Sequence, residues 1–271
     1  MKIAKLVPIF PALLLTACYS PPPPAAPRFQ VIVSPRSIDA GQGIDLATDA
    51  SDVLNELQDS RVAFVARYYR DPVSRWPALS ASEAQRLSTL GLKIVAVWES
   101  HSRDPAHFSY AFGYSDAVTA YGEARAAGQP AGSAIYFAVD FNALWLEPID
   151  EYFRGIAAGF AAASRGNAAY AIGVYGSGAV CDALRRTGLA QYSWLSNSIA
   201  WVGSTSYDGW NIRQGDRSPA LSFNHDSDEA RTEYGAFQLA AASHSGSPGN
   251  VIAQQSPQNG QSLAPTVAAS H

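Results

Sequence analysis

The sequence predicts an α/β fold in which the strands close into a barrel with irregular last units. Short runs of β-branched and aromatic residues, typical of strands buried on both faces, alternate with helical segments between residues 43 and 187. Repeated strand, helix, strand units require parallel pairing with right-handed crossovers. Seven or eight strands in about 200 residues favour a compact, degenerate (β/α)8 TIM-like barrel over an open sheet. No Gly-x-Gly-x-x-Gly turn or phosphate loop follows a strand, which weakens the nucleotide-binding alternative.

Five strand and helix pairs come first, and cap or turn residues mark most of the helix ends. Ser51 can cap the first helix, and Ser80 with Glu83 forms a capping box that opens the second, because each satisfies the other's free backbone N–H. Gly91, Gly128, Gly166 and Gly188 mark the ends of the later helices. The predicted strands are 43–47, 62–69, 93–99, 135–140 and 170–175. The predicted helices are 52–58, 80–91, 116–127, 148–164 and 179–187.

The last units are less regular. Short strands are predicted at 192–196, 210–214 and 221–225, and the segments between them have the composition of loops. The barrel is therefore expected to lack full helices after these strands.

Both ends of the chain differ in composition from the barrel. Lys2 and Lys5 form a positive region before the apolar run Leu6–Leu15, and the tetrapeptide Leu15–Cys18 resembles the bacterial lipobox, whose cysteine is diacylated and becomes the new N-terminus. An ordinary signal peptide that ends near a cysteine is the alternative. Lipidated Cys18 would anchor the chain to a bacterial membrane in the cell envelope, facing the periplasm or the exterior. The predicted segments are a lipoprotein signal peptide (1–18), a proline-rich linker (19–40), the barrel (41–239) and a disordered tail (240–271).

Charge and residue counts exclude several classes of function. The formal net charge of −4 leaves no basic face, so nucleic acid is not an expected partner. The five histidines have no metal-ligand spacing, and the two cysteines form no zinc or redox motif. Gly176-Ser-Gly178 lacks the nucleophile elbow of serine hydrolases. We expect no metal, no cofactor and a monomeric protein.

Polar and aromatic residues fall where the predicted strands end. In a barrel these ends converge on one mouth. Carboxylates accept sugar hydroxyls, rings stack on sugar faces, and two close carboxyls can act as acid and as nucleophile or base. The mouth is therefore expected to bind or cleave a glycan. The residues at the strand ends are Asp45, Arg67 or Tyr68, Glu99, Asp140, Tyr175, Trp194, Gln214, Asp226 and Asp228.

Side-chain alternation selects Asp140 and Glu99 within this set. If Asp140 points into the mouth, Tyr136 and Ala138 share its face, and the same parity places Glu99 above Val95 and Val97. Two acids on adjacent strands would interact as a dyad, and a shared proton would raise one pKa. Structural roles are the alternatives. Asp45 can bond its own loop, Glu99 can pair with Arg103, and Asn224–Asp228 can form an Asx turn.

Several short motifs carry a resemblance to a known family. They are Gly43-Ile-Asp45, Phe64–Tyr68, Ile135–Asp140, Gly173–Gly176, Trp194-Leu195 and Gln214. In this order they resemble the bacterial glycoside-hydrolase-like domain of unknown function that is related to family 25 lysozymes. The resemblance implies a TIM-like barrel, an extracytoplasmic setting and a cell-wall glycan as ligand. It matches Asp45 to the acid that ends the first strand and Asp140 to the proton donor on the fourth. Family 25 lysozymes carry Asp-x-Glu on that strand, where this chain has Ala138-Val139-Asp140.

Two functions are expected from these observations. The first is a lipid-anchored glycoside hydrolase of the muramidase kind that acts on peptidoglycan or a related glycan. Asp140 would be its general acid and Glu99 or Asp45 the partner. The second is a catalytically inactive barrel that binds the same glycan. An enzyme for small phosphorylated metabolites is disfavoured by the signal sequence. In either case the sugar would be held by Arg67, Tyr68, Tyr175, Trp194, Gln214, Asp226 and Asp228.

Overall fold

Eight strands close into a barrel in chain order, which confirms the predicted fold class. The computed structural model describes residues 41–215, 219–231 and 233–240. The predicted signal peptide, the linker and nearly all of the predicted tail lie outside these residues. The strands are β1 (Gln42–Asp45), β2 (Phe64–Tyr69), β3 (Lys93–Trp98), β4 (Ala134–Ala138), β5 (Ala171–Gly176), β6 (Tyr192–Leu195), β7 (Ile212–Gly215) and β8 (Asp226–Ala230).

Five α-helices and two short 3-10 helices connect the strands. The α-helices are α1 (Leu54–Asp59), α2 (Ala81–Thr89), α3 (Tyr110–Ala127), α4 (Glu147–Ser164) and α5 (Gly178–Thr187), and the 3-10 helices are Ala50–Asp52 and Pro105–His107. None of the helices in the described residues is both long enough and apolar enough to span a membrane.

The helix ends differ from the prediction at three places. Ser51 does not cap α1, whose N-cap is Val53 without a side-chain hydrogen bond. The side-chain cap lies earlier, at Asp49, which accepts from the Ser51 N–H at 2.7 Å and opens the 3-10 helix Ala50–Asp52. The α3 helix begins at Tyr110, earlier than predicted, because the Ser109 side chain caps it. Ser80 does cap α2, but the Glu83 carboxylate turns away from it, so only half of the capping box forms. Gly128 and Gly188 end α3 and α5 in the left-handed conformation, as expected.

The last strand departs from the expected all-parallel barrel. Neighbouring strands from β1 to β7 are parallel, but β8 pairs antiparallel with both β7 and β1. The strand predicted at 221–225 is wrong, since the eighth strand is Asp226–Ala230. The physical reason is the connection 216–225, which is shorter than the dozen or so residues that a parallel crossover needs. The chain therefore turns back at the mouth and runs down beside β7.

Side chains alternate between the barrel interior and the helix layer as predicted for β4. Tyr136 and Ala138 pack inside the barrel with Val95 and Val97 of β3. Phe137 and Val139 face outward into the larger core between the barrel and the helices. This alternation directs the residue that follows each strand either into the mouth or away from it.

Candidate active site

A cavity of about 240 Å³ opens where the parallel strands end. Most of the residues that the sequence assigns to the mouth contribute to its wall. The exceptions are Arg67 and Asp228. The lining residues are Asp45, Tyr68, Val97, Glu99, Arg103, Asp140, Tyr175, Trp194, Asn197, Ser198, Gln214 and Asp226.

Arg67 is not a mouth residue, which corrects its assignment to sugar binding. Its side chain is fully buried on the helix side of β2, where Nε donates to Glu83 Oε1 at 2.5 Å. Its Nη1 donates to the Leu46 carbonyl at 2.8 Å, and Glu83 also accepts from the Ala50 N–H at 2.8 Å. The pair therefore joins β2, the end of β1 and α2. Because Arg67 points outward, its neighbour Tyr68 is the residue that enters the mouth.

Asp45 is held at the floor of the cavity by a network of side chains. The Tyr68 hydroxyl donates to its Oδ1, and Gln214 Nε2 donates to its Oδ2 at 3.4 Å. The Tyr175 hydroxyl in turn donates to Gln214 Oε1 at 3.0 Å. Burial raises the pKa of Asp45 to about 6, and the negative charge of Asp226 adds to the effect. Asp45 is thus a rigidly placed carboxyl that binds a proton in mildly acidic solution.

Asp228 lies one layer below Asp45 and is almost completely buried. It pairs with Gly43 across the β1–β8 ladder, while Asp226 pairs with Asp45 at the rim. The Trp194 Nε1–H donates to Asp228 Oδ1 at 2.9 Å, and Asp228 Oδ2 is buried with no donor among the described residues. Burial, and then the charge of Asp45, raise the pKa of Asp228 well above its usual range. Asp228 is therefore favoured in its neutral form beside Asp45.

Glu99 and Asp140 face the cavity from β3 and β4 in different electrostatic surroundings. Burial raises the pKa of Glu99 to about 7, helped by the charges of Asp140 and Asp45 and opposed by those of Arg70 and Arg103. Asp140 instead forms an ion pair, in which Arg103 Nε donates to its Oδ2 at 2.5 Å. The sequence suggested Arg103 as a partner for Glu99, but the ion pair of Arg103 is with Asp140. One carboxyl thus keeps a proton near neutral pH beside another that carries charge.

Two arginines lie beside these acids, and one of them, Arg70, was not identified from the sequence. The Arg70 guanidinium lies 4.5 Å above the Tyr68 ring, and its Nη1 donates to the Glu99 carbonyl at 3.3 Å. Arg70 directly follows β2, so its position at a strand end was the available signal. Arg103 lies in the loop after β3, which is tied to β4 because the Asp140 N–H donates to the Ser102 carbonyl at 2.9 Å. The sequence named Arg103 with a different partner, Glu99, and the fold pairs it with Asp140.

No cluster of three or more His, Cys, Asp or Glu side chains in the described part of the chain is arranged to hold a metal ion. The cavity wall itself presents carboxyl, guanidinium, hydroxyl and amide groups.

Comparison with known proteins gives the family. Residues 55–252 match the family described as Rv2525c-like, glycoside hydrolase-like domain. The chain belongs to this family. The match covers most of the barrel and confirms the resemblance drawn from the sequence motifs.

Relatives of this glycoside hydrolase-like domain agree with the assignment. The uncharacterized protein YbfG of Bacillus subtilis (strain 168) is 35% identical over 123 residues, which span 43% of this chain and only 17% of YbfG. The crystal structure of the Tat-secreted protein Rv2525c of Mycobacterium tuberculosis in complex with L-tartrate is 22% identical, with a TM-score of 0.57 over 73% of this chain and 99% of that one. Its complex with HEPES gives a TM-score of 0.56 at the same identity, covering 72% and 98% of the two chains. At this identity the similarity shows a shared fold.

Proposed function

We propose that the barrel is a glycoside hydrolase for a cell-wall glycan of the peptidoglycan kind, with Glu99 as general acid and Asp140 as its partner carboxylate. The observation that carries the proposal is the contrast between these two carboxyls in one cavity. Glu99 has a pKa near 7, whereas Asp140 is ion-paired with Arg103. Glycoside hydrolysis needs such a pair, one acid that still holds its proton and one carboxylate that is ionised.

Each group has a definite task in this reaction. Glu99 donates its proton to the glycosidic oxygen as the bond to the sugar breaks. Asp140 either activates a water molecule or attacks the anomeric carbon, and Arg103 holds it through the Nε hydrogen bond to Oδ2. Tyr175 and Gln214 bind sugar hydroxyls beside Asp45. These roles differ from the sequence-based expectation, in which Asp140 was the acid, because Asp140 has an arginine partner and Glu99 is more deeply shielded.

The finer setting of this activity is also part of the proposal. The lipobox-like Leu15–Cys18 supports attachment to a bacterial membrane through lipidated Cys18. A lipid anchor followed by a proline-rich linker would present the barrel, as a monomer, to the cell-wall glycan in the periplasm or at the exterior.

The test is release of new reducing ends from purified peptidoglycan by the full-length protein. We expect Glu99→Gln to lower the rate by a factor of about 10²–10⁴, because amide nitrogen cannot replace the donated proton. Asp140→Asn should lower it similarly. Glu151→Gln is the matched control, since Glu151 is a surface residue of α4 paired with Arg154. The rate should also fall as the pH rises through about 7, where Glu99 loses its proton. Full activity of Glu99→Gln would contradict its role as the acid.

A second function, glycan binding without cleavage, is favoured by one observation. The fourth strand carries Ala138 where the resemblance to family 25 lysozymes expects an aspartate. If that acid is indispensable, the wild-type protein will sediment with peptidoglycan but release no reducing ends at any pH. That result would contradict hydrolysis and support a module that binds glycan in the same cavity.

A further inference from the structure

A second and larger hollow lies on the outer side of the barrel at β6, β7 and β8. Its volume is about 1190 Å³, against about 240 Å³ for the mouth cavity. The hollow, called the side groove here, exists because the described residues between β6 and β7 form turns and not a helix, and because β8 returns directly from β7. The helix α5 packs against β5 and β6, but in the described chain no α-helix follows β6 or β7 to cover β7 and β8.

Strand alternation defines the floor of the side groove. Ile212 and Ala230 pack inside the barrel, and Gln214 reaches Asp45 there. The alternate residues of β7 and β8 must therefore face outward. These form two cross-strand pairs, Arg213 with Glu229 and Gly215 with Ser227.

The side groove and the mouth cavity share part of their walls. Asn197, just after β6, and Gln214, near the end of β7, line both. The groove extends from there to Gly41 and Ala230 at the opposite end of the barrel. The two cavities therefore adjoin at these residues, and a linear polymer whose reacting bond lies in the mouth would pass over Asn197 to reach the groove.

The chemistry of the side groove suits a hydroxyl-rich chain. Its charged floor residues are paired, with Arg213 Nη2 at 2.8 Å from Glu229 Oε2, so the floor presents hydrogen-bonding groups to a ligand. The upper wall carries the hydroxyls of Ser204, Thr205 and Ser206 and the half-buried ring of Tyr207. Hydroxyls, ion pairs and an aromatic face are the groups that bind sugar units.

We propose that the side groove binds the continuation of the glycan strand whose scissile bond lies in the mouth. This inference rests on the proposed function, because it takes the same glycan as ligand. It adds that the protein recognises long strands better than short ones, through contacts on β7 and β8 that play no part in the chemistry.

The test fills the groove at Gly215. A Cβ at this position would have only Ser227 Oγ nearby, at 3.7 Å, so Gly215→Trp introduces a large side chain into the groove with little backbone strain. Gly122→Trp is the matched control, because Gly122 is exposed on α3 with open space around it. Both changes are made in full-length Glu99→Gln protein, so that bound glycan stays intact. Binding of a peptidoglycan disaccharide and of an octasaccharide is then measured.

We expect the parent protein and Gly122→Trp to bind the octasaccharide at least about tenfold more tightly than the disaccharide, about 1.4 kcal/mol. Gly215→Trp should lose this gain and keep the disaccharide affinity. Amide hydrogen exchange on the parent protein gives an independent readout, with protection of residues 204–215 by the octasaccharide only. Equal affinity for both lengths would contradict glycan binding in the side groove and leave the proposed function intact. A gain in affinity that survives Gly215→Trp without that protection would have the same meaning. Binding of neither glycan overturns both.

Discussion

Asp228 shows how far one buried side chain can depart from its expected role. The sequence placed it among the sugar ligands, yet its carboxyl is nearly inaccessible, accepts from Trp194 and contacts Asp45. A buried carboxyl without a positive partner is stable only in its neutral form. In the proposed function, Asp228 would therefore act only through Asp45, as a neighbour that holds that carboxyl in place.

This pair predicts a stability that falls as the pH rises. The pKa values of Asp45 and Asp228 are raised in the folded protein, so the folded state binds more protons than the unfolded chain once the pH exceeds about 4. The free energy of unfolding should then decrease as the pH rises through about 6, the pKa of Asp45. Asp228→Asn should flatten this dependence, because asparagine stays neutral, accepts from Trp194 and can donate to Asp45. Urea unfolding between pH 4 and pH 8 measures both slopes.

The matched control for that prediction is Asp228→Ala. It also removes the titrating group, but it leaves the buried Trp194 N–H without its acceptor, which costs about 1–3 kcal/mol at every pH. The interpretation would be wrong if Asp228→Asn and Asp228→Ala were equally unstable at pH 8, or if the asparagine variant kept the wild-type slope.

The sequence predicts correctly which side chains face the barrel interior where a strand ends in an acidic residue. Asp140 fixed the parity of β4, and the faces of Tyr136 and Phe137 followed correctly. In β2 every residue is buried, so no alternation of polar and apolar residues shows which of Arg67 and Tyr68 turns inward. Glu83, the partner that makes the outward position of Arg67 stable, is remote in sequence and was not recognisable as such.

At the scale of elements, β8 marks the limit of pattern recognition. Its sequence, Asp226-Ser-Asp-Glu-Ala230, is polar, and its inward residue Asp228 is an acid that is favoured in its neutral form. Such a strand has no apolar period to detect, so the sequence predicts a strand over the apolar residues just before it instead. The sequence locates strands β1 to β7 to within a few residues, although only Ile212 of β7 is a buried apolar residue.

The contact between α3 and α4 provides a prediction at this scale. A Cβ on Gly155 of α4 would lie 2.1 Å from the Tyr110 carbonyl oxygen of α3, and one on Gly113 would lie 1.9 Å from the Tyr152 carbonyl oxygen. The two backbones thus approach too closely for any side chain. We predict that Gly155→Ala destabilises the barrel by roughly 1–3 kcal/mol, because the helices must separate. Thermal unfolding measures the loss.

Gly122→Ala is the control for the helix itself. Gly122 lies on the exposed side of α3 with no atom within 4 Å of a Cβ placed there, so alanine should stabilise by about 0.5–1 kcal/mol through helix propensity alone. A Gly155→Ala protein as stable as Gly122→Ala would show that the two helices can separate without loss of packing.

At the scale of the whole molecule, the proposed membrane anchor depends on Cys18. A diacylated cysteine supplies two acyl chains, which is enough for stable membrane attachment, whereas one chain is marginal. We predict that wild-type protein expressed in a bacterium with lipoprotein processing is found in the membrane fraction and stays there in high salt. Cys18→Ser removes the sulfur that carries the lipid, so the protein should leave that fraction or keep its unprocessed signal segment.

Cys181→Ser is the matched control. Cys181 is buried in α5, and its loss should not change the fractionation. If Cys18→Ser remained in the membrane fraction with a processed N-terminus, the lipid anchor would be wrong. If the wild-type protein were soluble after processing, Leu15–Cys18 would belong to an ordinary signal peptide, and the barrel would reach its glycan by diffusion.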